Sequence, residues 1–299
     1  MNWESEINAF RDYLKLEKGL SDNSIHAYVT DLYKLVHFLQ DQGLTFGPDK
    51  VTLQHLKDLM GWINNRGISP RTQARIISGI KSFYKFLLIE EKVEKDPTAL
   101  LEAPKVGRKL PEILSVEEID LIINAVDTRK PEGQRNKAIL ETLYSCGLRV
   151  SELIDLKISN LFFESGFVKI EGKGSKERLV PISTKAIKEI NLYLSEYRRV
   201  LNIHPEHEDV LFLNRRGKKL SRVMIFTIIK NITNKLNMEK NISPHTFRHS
   251  FATHLIDGGA NLRAVQEMLG HESIITTEIY THLDKEYLKD TIIHYHPRT

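Results

Sequence analysis

Residues 243–280 constrain the fold most, because they place helix starts, helix stops and a set of charged side chains in close succession. Ser243 suits an N-cap and Pro244 the first helical position. Phe247, Phe251, Leu255 and Ile256 recur at helical spacing and mark a buried face. Gly258 and Gly259 end that helix. His245 and Arg248 are three apart and share another face in the first turns. A helix N-terminus attracts phosphate through free N–H groups and its dipole, so this pair makes a phosphate-binding corner. A short helix holding Leu262, Val265 and Leu269 leads to Gly270 and delivers His271 just past its end. Tyr280 follows nine residues later.

Three readings of this stretch compete. One is a helical core with surface histidines. A second is a zinc site, since His245 and His249 are four apart and His254 follows. Against zinc, no His-Glu-x-x-His occurs, and the lone cysteine offers little thiolate. The third is a phosphoryl-transfer site with Tyr280 as nucleophile, which accounts for the arginine, the histidines and the tyrosine together. The combination His245-x-x-Arg248, Leu269-Gly270-His271 and Tyr280 resembles the tyrosine site-specific recombinases.

The remaining chain bears on that resemblance. Its 299 residues, 41% hydrophobic, suit two domains that each bury a core. Residues 1–107 hold 14 Lys/Arg and 14 Asp/Glu. Subtracting these from 43 and 39 leaves 29 against 25, so the whole net charge of +4 lies in residues 108–299. Cys146 is the one cysteine, so no intrachain disulfide forms, which fits a reducing cytosol. The acidic start Met-Asn-Trp-Glu-Ser-Glu has no apolar signal core, and no apolar run reaches membrane-span length. A cytoplasmic protein without a membrane partner is expected.

Residues 1–100 read as helices throughout. Ile7, Phe10, Tyr13 and Leu14 begin one apolar stripe; Ser21 or Asn23 caps the next helix, Thr52 another, and Ser69-Pro70 opens a fourth. On that fourth helix Ile76, Ile77, Ile80, Phe83, Tyr84 and Leu87 fall on one side, with Arg71, Arg75, Lys81 and Lys85 opposite. The basic side suits DNA phosphates, and a solvated face is the bland alternative. Residues 104–111, with two prolines, a glycine and basic residues, read as an interdomain linker.

Beyond the linker, Ser115-Val-Glu-Glu118 is a capping-box start, and a helix continues from Asn136 to Tyr144. Gly147 allows a turn before Arg149 and Glu152, which as a bare pair would be a weak surface ion pair. Phe167 to Ile182 reads as a hairpin around Gly172-Lys173-Gly174-Ser175. A phosphate-cradling loop competes there, but Gly-Lys-Ser/Thr with its upstream glycine is absent. Asp209 to Asn214 reads as a further strand, Arg215 to Lys219 as a basic turn, and Arg222 to Leu236 as a helix. Leu288, Ile292 and Tyr295 form a last apolar stripe near a chain end, where an apolar face needs a partner. Docking on its own domain and insertion into a neighbour both answer that need.

The resemblance covers nearly the whole chain. Gly147-Leu-Arg-Val-Ser-Glu-Leu153 resembles the first catalytic arginine segment, and Gly172-Lys-Gly-x-Lys-x-Arg178 the hairpin lysine segment, most of all in the bacterial Xer branch. It implies a mainly α fold with a small β-sheet. A helical, SAM-like core-binding domain (1–103) would precede an α+β tyrosine-recombinase catalytic domain (112–299) with a tail at 284–299. It implies six catalytic residues: Arg149, Lys173, His245, Arg248, His271 and the nucleophile Tyr280. Arg71, Arg75, Lys81, Lys85, Lys176 and Arg178 are expected to touch DNA. The implied reaction cuts and rejoins DNA through a 3′-phosphotyrosine, with no cofactor and no metal, and resolves chromosome dimers at a terminus site. The implied partners are double-stranded DNA, a paralogous XerC-type recombinase in a heterotetramer, and an FtsK-type DNA translocase. The tail is expected to insert into a neighbouring protomer. A phage or transposon integrase is the alternative, although such enzymes often carry an additional N-terminal arm-binding domain. A type IB topoisomerase, or a pure DNA-binding protein that has lost a catalytic residue, are further readings.

Overall fold

The computed structural model describes residues 1–104, 107, 112–130, 132–172, 177–270 and 285–298, with the side chains of 285 and 286 left aside. The chain divides into two compact units, Met1–Lys109 and Leu110–Thr299. The fold is mainly helical with one small sheet.

The first unit holds helices α1 (Trp3–Leu16), α2 (Asp22–Asp41), α3 (Leu53–Asn65) and α4 (Pro70–Ile89). The caps read from sequence form: the Thr52 side chain accepts from the His55 N–H, and Ser69 accepts from Thr72 ahead of Pro70. The apolar side of α4 closes the core, with Ile76, Ile80, Phe83, Tyr84 and Leu87 fully buried beside Phe10, Leu32 and Leu35. Burying each such side chain contributes about 1.5–3 kcal/mol. The opposite side departs from the expected free basic stripe. Arg71 and Lys85 are exposed, but the Arg75 Nη1 donates to Asp31 Oδ2 at 2.6 Å, with the Ala27 carbonyl at 3.4 Å. Asp31 is fully buried on α2 and also accepts from Lys34 at 2.8 Å. Arg75 is thus a staple between α2 and α4, because a buried carboxylate needs nearby cations.

In the second unit come α5 (Val116–Asn124), α6 (Gly133–Cys146), α7 (Val150–Ile154), β1 (Leu161–Phe162), β2 (Phe167–Glu171), β3 (Glu177–Pro181) and α8 (Thr184–Leu192). Then follow α9 (Arg222–Lys235), α10 (Pro244–Asp257), α11 (Leu262–Leu269) and α12 (Lys285–Tyr295). The strands pair antiparallel in the order β1-β2-β3, and Ile170 stands opposite Arg178. Segment 209–214 is not a strand: its pairing is limited to single bridges, Lys157 with Val210 and Leu213 with Lys219. The α8 helix, unread in the sequence, runs on as a π turn and a 3₁₀ turn to Val200. On α10, Phe247, Phe251 and Leu255 are fully buried as expected, but Ile256 is 43% exposed.

The tail packs on the second unit. Leu288 and Ile292 are buried in the core of their own unit. The His296 ring lies against Tyr144 and Phe251, with centroids 4.8 and 5.5 Å away. Arg298 pairs with Glu141 at 3.1 Å and Asp120 at 2.6 Å. Tyr295 fits over the bare Gly258 and Gly259. In this single chain the stripe docks on its own unit, one of the two arrangements read from the sequence. The polar residues that fasten it, His296 and Arg298, follow the apolar stripe. Among the described residues, no helix is long and apolar enough to cross a membrane.

Candidate active site

Glu152 organises the site. It sits in the first turn of α7 with a side chain only 4% exposed. Its Oε1 accepts from Arg149 Nη1 at 2.8 Å and Arg178 Nη1 at 2.9 Å. Its Oε2 accepts from the Arg149 N–H at 2.8 Å and Arg178 Nη2 at 2.9 Å, with Arg248 Nη1 at 3.9 Å. Four donors fill the lone-pair sites of the ionised carboxylate. Burial pushes the Glu152 carboxyl up, but hydrogen bonds and charge from Arg178, with bonds from Arg149, outweigh it and leave it below the usual range. The reading of Arg149 and Glu152 as a bare surface pair is thereby replaced.

The C-terminal end of α11 supplies the second half of the frame. Helix ends leave carbonyls without helical partners, and the dipole makes that end negative. Three successive carbonyls here accept from three arginines: Met268 from Arg178 Nε at 2.8 Å, Leu269 from Arg248 Nη2 at 2.6 Å and Gly270 from Arg149 Nη2 at 3.0 Å. Arg248 Nη1 also donates to the Gly147 carbonyl at 2.7 Å. Gly147 has φ +57°, and a Cβ there would lie 2.4 Å from the Phe251 ring, so only glycine allows this approach. Gly270, at φ +64°, lies flat against the Arg178 guanidinium, 3.2 Å from where its Cβ would be.

Three arginines meet one carboxylate, 3 − 1, leaving a surplus of two positive charges. Burial, then the charge of Arg149, pull Arg248 down to about 10, so it stays protonated at neutral pH. Arg149 keeps 40% of its side chain exposed, whereas Arg248 keeps 7%. The surplus can take an anion at the Arg149 side, with fixed donors of the kind that bind phosphate.

His245 is exposed in the first turn of α10, its ring 6.2 Å from that of His249. His254 faces elsewhere, its Nδ1 2.6 Å from the Tyr144 hydroxyl, so these three histidines do not gather as the zinc reading requires. Arg178, expected at DNA, is 14% exposed and bonds inside the protein through all three guanidinium nitrogens. Strand alternation carried the clue, because Arg178 is paired with the buried Ile170 and so shares the core face. Lys173, Lys176, His271 and Tyr280 lie outside the described residues. The structure thus brings Arg149 and Arg248 together, joined by Glu152 and Arg178. Cys146 is fully buried, and burial pushes its thiol up to about 12, consistent with packing.

The phage integrase family model matches residues 112–287, and the phage integrase N-terminal SAM-like domain matches 7–91. The chain belongs to the phage integrase family, the tyrosine recombinases. It is similar to the tyrosine recombinase XerD of Oceanobacillus iheyensis, 44% identical over 295 residues that cover 99% of both chains. That of Staphylococcus haemolyticus is 42% identical over the same share. Among solved structures, XerH recombinase bound to palindromic difH in a post-cleavage complex superposes with a TM-score of 0.68. It is 25% identical, covering 95% of this chain and 83% of that one. The chain is a tyrosine recombinase, an enzyme of site-specific DNA recombination, and its full-length likeness is to the XerD type.

Proposed function

We propose that this recombinase cuts each DNA strand through Tyr280. The observation that carries the reading is the surplus of two positive charges where Arg149, Arg178 and Arg248 meet over Glu152. In this reading the two guanidiniums grip the non-bridging oxygens of one phosphodiester and stabilise charge that grows as phosphorus is attacked. The Tyr280 oxygen bonds to phosphorus as the bond to the 5′-oxygen breaks, leaving a 3′-phosphotyrosine. A tyrosine with a reference pKa of ~10 needs help to lose its proton near neutrality. His245 takes that proton, Lys173 gives one to the leaving 5′-oxygen, and His271 adds a hydrogen bond to the phosphoryl group. A partner strand's 5′-hydroxyl then reverses the step. The bond energy is kept in the phosphotyrosine, and these six side chains supply the charge and the protons.

Glu152 and Arg178 act as positioning residues that hold Arg149 and the end of α11 in register. Arg71, Lys81 and Lys85 on α4, and Lys176, meet the DNA backbone. The linker 104–111 lets domains 1–103 and 112–299 close on a duplex. The likeness to XerD supports chromosome-dimer resolution at a terminus site, beside a paralogous XerC-type partner and an FtsK-type translocase. The test is a nicked suicide substrate with excess chelator. Wild type should form a covalent protein–DNA band in denaturing gels, and Tyr280→Phe should bind the site without one. A covalent band surviving in Tyr280→Phe would remove the nucleophile from this reading.

A further inference from the structure

We propose that His204, Glu206 and His207 bind a divalent cation of the zinc class, away from the recombination chemistry. Among the described residues this is the one group of three His, Cys, Asp or Glu whose ligand atoms all lie within 4.8 Å of one another. The three sit on a single 3₁₀ turn, Pro205–His207, closed by the His207 N–H donating to the His204 carbonyl at 2.8 Å. The His204 and His207 rings are 5.6 Å apart, and His204 Nδ1 stands 3.8 Å from Glu206 Oε2.

A second observation points to a ligand. The His204 ring is 38% exposed, but its Nδ1 is shielded from solvent and has no hydrogen-bond partner among the described residues. A buried polar nitrogen left in this way is costly, and a bound ion is one of the ordinary remedies.

The loop is already held on both sides. The His204 N–H donates to the Gly217 carbonyl at 3.1 Å. The buried Arg198 guanidinium bonds the carbonyls of Glu208, Val210 and Leu211. Asp209 accepts from Ser159 through both carboxylate oxygens. An ion would therefore have little backbone left to order. Metal–ligand distances of about 2.0–2.2 Å put tetrahedral ligand atoms roughly 3.3 Å apart. The set needs to close by about an ångström or more, and Glu206, with a side chain 80% exposed, is free to swing in. Two imidazoles and one carboxylate select zinc-class ions over magnesium or calcium, which prefer all-oxygen shells. A water completes the fourth position. None of the three residues belongs to the candidate active site, so the ion binds a pre-formed loop outside the recombination chemistry.

The test uses untagged, chelator-stripped, full-length protein titrated with Co²⁺ as a spectroscopic probe, then displaced by Zn²⁺. One equivalent of tetrahedral Co²⁺ per chain is expected. His204→Ala and His207→Gln should each weaken it by roughly tenfold or more, while circular dichroism stays unchanged. The second variant replaces a half-buried side chain by a polar one of similar size, so with the circular dichroism it separates lost ligation from lost folding. His249→Gln, which breaks up the exposed pair with His245, should leave the titration unchanged. Absence of a tetrahedral spectrum, equal binding in both loop variants, or binding abolished by His249→Gln would overturn the site. Chelator-treated cleavage reads the recombination proposal separately.

Discussion

Each unit of this protein buries a carboxylate between two or more cations, Asp31 in the first and Glu152 in the second, and the two arrangements do different things. Asp31 in the first unit meets Lys34 and Arg75. Each of those keeps a sizeable share of its side chain in water, 27% and 43%. Glu152 in the second unit meets Arg149, Arg178 and Arg248, each of which also donates to a backbone carbonyl at the end of α11. The first is a staple between two helices. In the second, fixed guanidiniums outnumber the carboxylate by two, the surplus needed to hold an anion. What separates a site from a staple is how many cations converge and how rigidly each is held.

The largest effect should come from neutralising each carboxylate. Glu152→Gln leaves three buried or half-buried guanidiniums poorly matched. It should cost about 3–5 kcal/mol of stability and lower half-site cleavage by on the order of 100- to 1,000-fold. Asp31→Asn should cost about 1–3 kcal/mol, because its cations reach solvent, and leave cleavage by the folded protein within a few-fold. Thermal melts paired with suicide-substrate rates would check both. If Asp31→Asn cut the cleavage rate as deeply as Glu152→Gln, the contrast between staple and site would fall.

A smaller difference is expected from exchanging arginine for lysine. Lysine cannot reproduce the fork that holds both Glu152 oxygens and the Met268 carbonyl. Arg178→Lys should slow cleavage by on the order of 100-fold through misplacement of Arg149, while half-site affinity in gel shifts changes little. Arg75→Lys keeps a cation beside Asp31 and should leave the cleavage rate nearly unchanged. Equal losses of affinity in the two variants would return Arg178 to the DNA-contact role expected from the sequence.

The smallest effect is on pH dependence within the second unit. Glu152 is held below the usual carboxylate range, so its contribution is present above that range and lost only as pH falls through the lowered value. Burial pushes His296 from 6.5 down to about 3. Its contribution is complete above 6.5 and drains away as pH falls from there toward 3. The protection factors of α12 amides, taken against the intrinsic exchange rate at each pH, should therefore fall between pH 7 and pH 5, while those of α7 and α10 hold. His296→Phe should remove the tail's acid sensitivity. A tail with equal protection factors at both pH values in wild type would contradict this order.

Local rules made much of this molecule legible. Thr52, Ser69-Pro70, Ser115 with Glu118, and Ser243-Pro244 each cap the helix read from them, because a cap is a contact within three residues. The 3.6-residue stripes of α4 and α10 gave their buried faces for the same reason. What escaped depends on partners far along the chain. Asp31 finds Arg75 on another helix, Arg178 finds Glu152 and the end of α11, and His296 finds Tyr144. Charge-pattern reasoning treats a run of Lys and Arg as solvated, and it fails where one member is drawn inside. The segment at 209–214 failed differently: Leu211, Phe212 and Leu213 are buried without a continuous partner strand.

Burial lowers Arg248 most, and the charge of Arg149 beside it lowers it further, which has a thermodynamic consequence. Like charges held together by the fold are a standing strain on the unliganded protein, and a phosphate placed between them relieves it. The catalytic unit should therefore gain more thermal stability from a short cognate duplex than the helical unit does, with the gain shrinking as salt screens the repulsion. In that sense the substrate completes the fold of the enzyme as well as occupying its site.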